Sequence, residues 1–124
     1  MKSSPGFPHT TALCGASLSG VPIPPLFVLT HLSETPTELK EFEESGLCWF
    51  ASTNKCWVNR SVFLLYSIFF IKWLTRYRQT LAESIRDKPA LIVCDGHSSR
   101  ENPLALFLLA SANVHVIVLL LHAK

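Results

Sequence analysis

The sequence has little charge and no strong excess of either sign. Asp, Glu, Lys and Arg make up 16% of the 124 residues, the formal net charge is +2, and 48% of the residues are hydrophobic. A chain so rich in apolar residues is not disordered throughout, and so small a net charge indicates no particular class of partner. The length suits one domain with a single core, so we expect residues 1–124 to form a single domain.

The four cysteines include no CxxC pair, the spacing that is typical of structural zinc sites. The shortest gap separates Cys48 from Cys56, and most of the thiols lie within apolar runs. This arrangement argues against a structural zinc site and predicts buried, reduced cysteines. Reduced cysteines indicate a cytosolic or nuclear compartment.

An apolar segment of the length found in signal peptides is also absent near the N-terminus, because prolines and a glycine interrupt it. Residues 104–121 are uncharged over 18 positions, which reaches the lower limit for a membrane-spanning helix. Ser111, Asn113 and His115 interrupt this segment, and its composition changes there from Leu and Ala to Val and Ile. The change favours a helix followed by a strand, with a small membrane protein as an alternative.

The first half of the chain predicts short strands and one short helix. Residues 10–18 and 23–29 are apolar runs separated by a glycine, which indicates an antiparallel hairpin. Prolines at the beginning of the second run predict that regular pairing starts near Leu26. A polar segment then predicts a helix over residues 37–44 that ends at a glycine, and residues 47–52 predict a third strand.

The second half predicts a long helix and then a strand, a helix and a strand. Residues 60–84 contain no Gly or Pro and have apolar residues at helical spacing. Residues 90–95 form an apolar run without alternation, which predicts a strand that is buried on both faces. Residues 102–113, with Asn102 as N-cap, predict a helix, and residues 114–120 predict another buried strand. We therefore expect an α/β fold in which an antiparallel front half and a long helix precede a parallel βαβ unit.

Three cations lie in the last third of the long helix: Lys72, Arg76 and Arg78. Positive charge there interacts favourably with the negative end of the helix dipole and is readily solvated. The same cations could contact the phosphates of a nucleic acid. The sequence leaves both interpretations open.

Asp95 follows the apolar run LIVC and precedes the loop GHSSR, which leads into the next helix. Ligands of open α/β sheets bind beyond the carboxyl ends of the strands, where this aspartate is predicted to lie. A phosphate could bind at the helix N-terminus with help from Arg100, and a metal would need a second carboxylate beside Asp95. The alternatives are that Asp95 accepts hydrogen bonds from its own loop, and that His97 either orients the carboxylate or is an ordinary loop histidine.

The order of several motifs resembles a known family. GxxIPPLFVL comes first, a segment W-F-x-S-x-x-x-x-W-V follows, and a long helix ends in WLTRYR before LIVCDGHSSRENPLAL and NVHVIVLLLH. Together these motifs are similar to the DDE superfamily endonuclease domain of pogo and Tigger type transposases, within the mariner superfamily, and the similarity covers about residues 7–122.

The resemblance implies an RNase H-like fold, in which three antiparallel strands precede a helix and two parallel strands. It also implies a nuclear protein that cleaves and joins DNA with two Mg²⁺ or Mn²⁺ ions held by three acids. Asp95 aligns with the second acid, and His122 with a histidine shortly before the third.

The first and third acids have no counterpart in the chain, since no acid precedes Glu34 and the sequence ends at Lys124. We therefore expect a truncated domain that lacks the first strand, binds the metals weakly and does not cleave DNA. A non-enzymatic, domesticated binding protein is the alternative. The missing strand also predicts an exposed sheet edge through which the chain could self-associate.

Overall fold

The computed structural model describes residues 11–30, 37–53, 60–95 and 102–119. They form five strands and four helices, which confirms a mixed α/β class. In chain order these are β1 (Thr11–Ala16), β2 (Pro22–Thr30), α1 (Thr37–Glu44), β3 (Trp49–Thr53), α2 (Arg60–Arg78), α3 (Glu83–Arg86), β4 (Ala90–Asp95), α4 (Pro103–Ser111) and β5 (Val114–Leu119). The chain divides into two compact units, residues 1–58 and 59–124, which are described separately. Whether they form one domain, as the length predicts, stays a prediction.

The first unit contains the predicted hairpin, with β1 antiparallel to β2. Its turn closes on Ser17, whose carbonyl accepts from the N–H of Gly20 at 3.1 Å and whose hydroxyl accepts from the N–H of Val21 at 2.8 Å. Gly20 has φ +90°, a conformation that favours glycine. Pairing with β1 is regular from Leu26 onward, as predicted, and the register shifts at Pro24 and Pro25. Pro22 and Ile23, on the other side of this shift, also pair with β1, which was not predicted.

The third strand differs from the expected antiparallel arrangement, because β3 runs parallel to β2. A parallel pair needs a crossover of a dozen or more residues, and the connection between these strands contains α1. Helix α1 ends at Glu44 and is followed by the helix-ending glycine Gly46, as predicted; the N–H groups of Gly46 and Leu47 donate to the carbonyls of Glu43 and Phe42. The prediction of an antiparallel front half was therefore wrong for β3. The described part of the chain contains two crossovers of the strand, helix, strand type.

The cysteines are not uniformly buried. Cys48, at the entrance to β3, is buried, and desolvation together with the nearby charge of Glu43 raises the pKa of its thiol. Cys94 is half-buried on β4, whereas Cys14 is exposed on β1. The prediction of buried cysteines is therefore correct for Cys48 and wrong for Cys14, because alternate residues of β1 point toward solvent.

The second unit is organised around α2. Its buried residues recur at helical spacing and are Val62, Phe63, Tyr66, Ser67, Phe70 and Leu74. Aromatic rings continue along the helix, from Tyr66 to Phe70 at 6.3 Å, Phe70 to Trp73 at 5.8 Å and Trp73 to Tyr77 at 5.1 Å. Helix α2 contacts α4, so this apolar side forms much of the core of the unit.

Helix α4 begins as its sequence predicts. The side-chain oxygen of Asn102 accepts from the N–H groups of Leu104 at 2.9 Å and Ala105 at 3.2 Å, and Pro103 occupies the first helical position. The amide nitrogen of Asn102 also donates to the carbonyl of Arg60 at 2.9 Å. One side chain thus caps α4 and joins it to the first residue of α2.

Strands β4 and β5 pair in parallel from Ala90 opposite Val114 to Asp95 opposite Leu119, which confirms the βαβ unit. The pair is not buried on both faces, and this prediction was wrong. Residues of β4 alternate between half-buried and exposed, with Leu91 and Val93 on the exposed face. Because both faces of the pair consist mainly of apolar residues, the sequence does not indicate that only one of them is buried.

The uncharged segment 104–121 contributes to both α4 and β5, so it does not form one continuous helix. Among residues 11–30, 37–53, 60–95 and 102–119, no helix combines the length and apolar character that crossing a bilayer requires.

Replacing Asn102 by alanine should lower the free energy of unfolding by about 1–2 kcal/mol, because α4 loses its cap. Urea unfolding followed by circular dichroism measures the change. Ser111→Ala, an exposed substitution at the other end of α4, is the control and should change stability by less than about 0.5 kcal/mol. Equal losses in the two variants would show that the cap contributes nothing.

Candidate functional site at the end of β4

Asp95 is the last residue of β4 and lies at the carboxyl end of the parallel pair, as predicted. Its side chain is exposed and belongs to the same face as Leu91 and Val93. The loop that follows, residues 96–101, lies outside the described residues. The candidate residues His97, Arg100 and His122 therefore lie outside them as well, and their roles stay predictions.

The neighbours of Asp95 on the sheet do not suit a hard metal ion. Leu119 lies opposite Asp95 in the register, and His115 lies four residues further back along β5. A separation of four residues along a strand corresponds to about 13 Å. Within the described parts of the chain, no three His, Cys, Asp or Glu side chains come together as a metal site. Strands β4 and β5 together carry one carboxylate, that of Asp95, whereas a two-metal site needs several.

The three candidate cations of α2 are in different environments. Lys72 and Arg76 are exposed, and their spacing of four residues places them on one side of the helix. Both remain accessible to an anionic partner. Arg78 is half-buried and is already engaged by the protein.

The guanidinium of Arg78 donates to three backbone carbonyls. Nη1 donates to the carbonyl of Ala112 at 2.8 Å, while Nη2 donates to those of Asn113 at 3.1 Å and Lys88 at 3.3 Å. These carbonyls lie at the end of α4, at the entrance to β5 and before β4. We call Arg78 with these three acceptors the Arg78 corner. A planar guanidinium suits such a set, because its donors are fixed in a fork.

Asn113 completes the chain reversal at this corner. It has φ +62°, in the left-handed region that asparagine tolerates better than most residues. Its amide nitrogen donates to the carbonyl of Asp87 at 3.2 Å, and its carbonyl accepts from the N–H of Ala90 at 3.0 Å. Asn113 is thus bonded to the segment that leads into β4.

Sequence reasoning missed this structural role of Arg78. Its position at the end of a helix predicts an interaction with carbonyls, but those of α2 itself rather than those of a later helix and strand. The sequence predicts a helix over residues 102–113, and in the structure α4 ends at Ser111 with Ala112 as C-cap, directly before Asn113. A contact between Arg78 and DNA stays a prediction. Such a contact would compete with the three hydrogen bonds that Arg78 donates within the protein.

Comparison of the chain with family models, with curated proteins and with solved structures gave no match.

Arg78→Ala should lower the free energy of unfolding by about 1.5–3 kcal/mol, because carbonyls at the corner lose a charged donor. Arg78→Lys should recover only part of the loss, since one ammonium cannot reproduce the planar fork.

Arg76→Ala is the matched control, since it removes an exposed arginine from the same helical turn and should change stability by less than about 0.5 kcal/mol. Urea unfolding of the three variants and the parent chain provides the comparison. An Arg78→Ala protein as stable as the control would contradict a structural role of the corner.

Proposed function

We propose that this chain corresponds to part of a DDE-type transposase catalytic domain that keeps affinity for DNA but does not cleave it. The observation that carries the proposal is the position of Asp95, at the end of β4 in a β4, α4, β5 unit that follows a long helix. The resembled family has its second catalytic acid at this point in the same order of elements.

The features of the second unit support this proposal better than those of the first. The long helix, the aspartate at the strand end and the parallel strand pair follow the order of the resembled RNase H-like fold. The parallel direction of β3 departs from that fold, which has three antiparallel strands at the corresponding stage. The described strands also form two separate sheets, of three and two strands. The proposal therefore rests on residues 60–119 and on the motif around Asp95.

Loss of cleavage follows from the chemistry of the resembled site. Two divalent ions need several carboxylate oxygens, and one aspartate cannot hold both ions in position. Affinity for DNA would come from Lys72 and Arg76, which are exposed on one side of α2. Contacts of that kind are made to phosphates, so they are independent of sequence. A nuclear location is part of the same proposal.

The purified chain should not nick supercoiled plasmid DNA in the presence of Mg²⁺ or Mn²⁺, because a single carboxylate does not organise the two metals. Agarose-gel conversion of supercoiled to open circular DNA is the readout, and Asp95→Ala should give the same background. Metal-dependent nicking that disappears in Asp95→Ala would refute the proposal that the site is inactive.

Duplex DNA should bind weakly, and binding should fall steeply as salt increases, as counterion release requires. In fluorescence anisotropy, the double variant Lys72→Ala/Arg76→Ala should bind more weakly and should reduce the slope of log K against log salt by about two.

The control is Lys40→Ala/Lys88→Ala, which removes the same charge from exposed lysines outside α2. It should retain most of the affinity and the parent slope. Binding that does not respond to salt, or equal losses in both double variants, would contradict contact through α2.

A second candidate function is that of a non-enzymatic interaction protein. Large apolar side chains are exposed on three elements of the second unit: Leu91 and Val93 on β4, Ile117, Val118 and Leu119 on β5, and Leu104, Leu106 and Phe107 on α4. Exposed apolar surface of this extent marks interaction sites. This candidate requires a partner but neither DNA nor metal.

A further inference from the structure

The aromatic rings of α2 become more exposed toward the end of the helix. Tyr66 and Phe70 are 9% and 6% exposed, whereas Trp73 and Tyr77 are half-buried. All four residues recur at intervals of three and four, so they lie on one side of the helix. That side is buried in the middle of α2 and partly open at its end, where the row of rings reaches the surface.

The two rings at the surface form a stacked pair. Their centroids lie 5.1 Å apart and the planes of Trp73 and Tyr77 differ by 5°, whereas the planes of Phe70 and Trp73 differ by 31°. In the part of the chain that the structure describes, Tyr77 is the last ring of this row. One face of Tyr77 therefore lies against Trp73, and the other face points away from the row. A flat ring of another molecule could extend the stack on that outer face.

Exposed cations lie beside the stacked pair. Lys72 and Arg76 directly precede Trp73 and Tyr77 in the sequence, and like the rings they are spaced by about one helical turn, roughly 5.4 Å. Helix α2 contains no acidic residue that could neutralise them. We call these four side chains the α2 strip. It combines positive charge with flat apolar surface.

We propose that the α2 strip binds single-stranded DNA, with an unpaired base stacked on Tyr77 and with Lys72 and Arg76 on phosphates of the same strand. The choice of DNA rests on the proposed function, and the preference for an unpaired strand goes beyond it. The bases of a duplex are stacked on each other and do not offer their faces to a protein ring, whereas an unpaired base does.

The cations of the α2 strip do not by themselves favour a single strand. Counterion release per phosphate is smaller for single strands than for duplex DNA, so Lys72 and Arg76 alone would bind the duplex at least as well. A preference for the unpaired strand would therefore come from the rings. The ratio of the two affinities thus measures the contribution of stacking separately from that of charge.

The combination of rings and cations distinguishes a nucleic acid strand from other ligands. The side chains of an acidic peptide match the cations but offer no flat ring. An apolar partner matches the rings but would leave Lys72 and Arg76 facing apolar groups, which is costly. A nucleic acid strand alternates phosphates with flat bases and so matches both. Because phosphates and base faces are common to all sequences, we expect binding that does not depend on sequence.

Fluorescence anisotropy tests the preference with one labelled DNA strand of about 12 nucleotides, either unpaired or annealed to its complement. The parent chain should bind the unpaired strand at least about fivefold more tightly, which corresponds to the stacking of one base. Tyr77→Leu, which removes the flat ring, should abolish this preference and keep the parent affinity for the duplex. Tyr77→Phe retains the ring and should retain the preference.

Phe50→Leu is the matched control, because it removes a half-buried ring that lies 5.8 Å from the ring of Phe27 in the first unit. It should change neither affinity. Lys72→Ala/Arg76→Ala should weaken the binding of both forms of DNA. Circular dichroism confirms that each variant is folded, and unchanged duplex binding shows that the cations of Tyr77→Leu are still in place.

The possible outcomes separate this inference from the proposed function. Equal affinity of the parent chain for the two forms, or a preference that survives Tyr77→Leu, would overturn the stacking site and leave duplex binding through α2 intact. A chain that binds neither form would overturn both. Tighter binding of an RNA strand of the same sequence would overturn the choice of DNA.

Discussion

The second unit depends on one guanidinium that is bonded to three separate segments of the backbone. Arg78, the last residue of α2, donates to carbonyls at the end of α4, at the entrance to β5 and before β4. These carbonyls belong to chain ends, where helices and strands leave acceptors without partners within the element. Asn102 performs the corresponding function at the other end, because it caps α4 and donates to the first residue of α2. Helices α2 and α4 are therefore joined at both ends.

This arrangement determines where the chemically interesting residues lie. The corner positions the entrances of β4 and β5 side by side, so the parallel pair extends from Ala90 and Val114 to Asp95 and Leu119. Asp95 consequently lies at the open end of the pair, the place where α/β proteins bind ligands. Because α4 covers only one face, the other face exposes apolar side chains with Asp95 at its border. The same aspartate thus belongs to the proposed ancestral metal site and borders the exposed apolar face of the strand pair.

Local signals in the sequence predicted most elements. The spacing of apolar residues predicted α2, and Asn102 and Gly46 marked a helix start and a helix end. The direction of β3 could not be read in the same way, because it depends on how the connection through α1 crosses the sheet. The exposed face of β4, with Leu91 and Val93, was missed because LIVC is apolar at every position, and only the tertiary structure decides which alternate residues are covered. The role of Arg78 was missed because its acceptors lie 10, 34 and 35 residues away.

The most direct test of the Arg78 corner is native-state hydrogen exchange of Arg78→Ala compared with Arg76→Ala. If the corner joins the three segments, the Arg78 variant should lose protection together in β4, α4 and β5, including the N–H of Ala90, which donates to Asn113. The strands of the first unit should keep the protection that they have in the parent chain. Loss of protection confined to the last turn of α2, or the same pattern in both variants, would contradict the account.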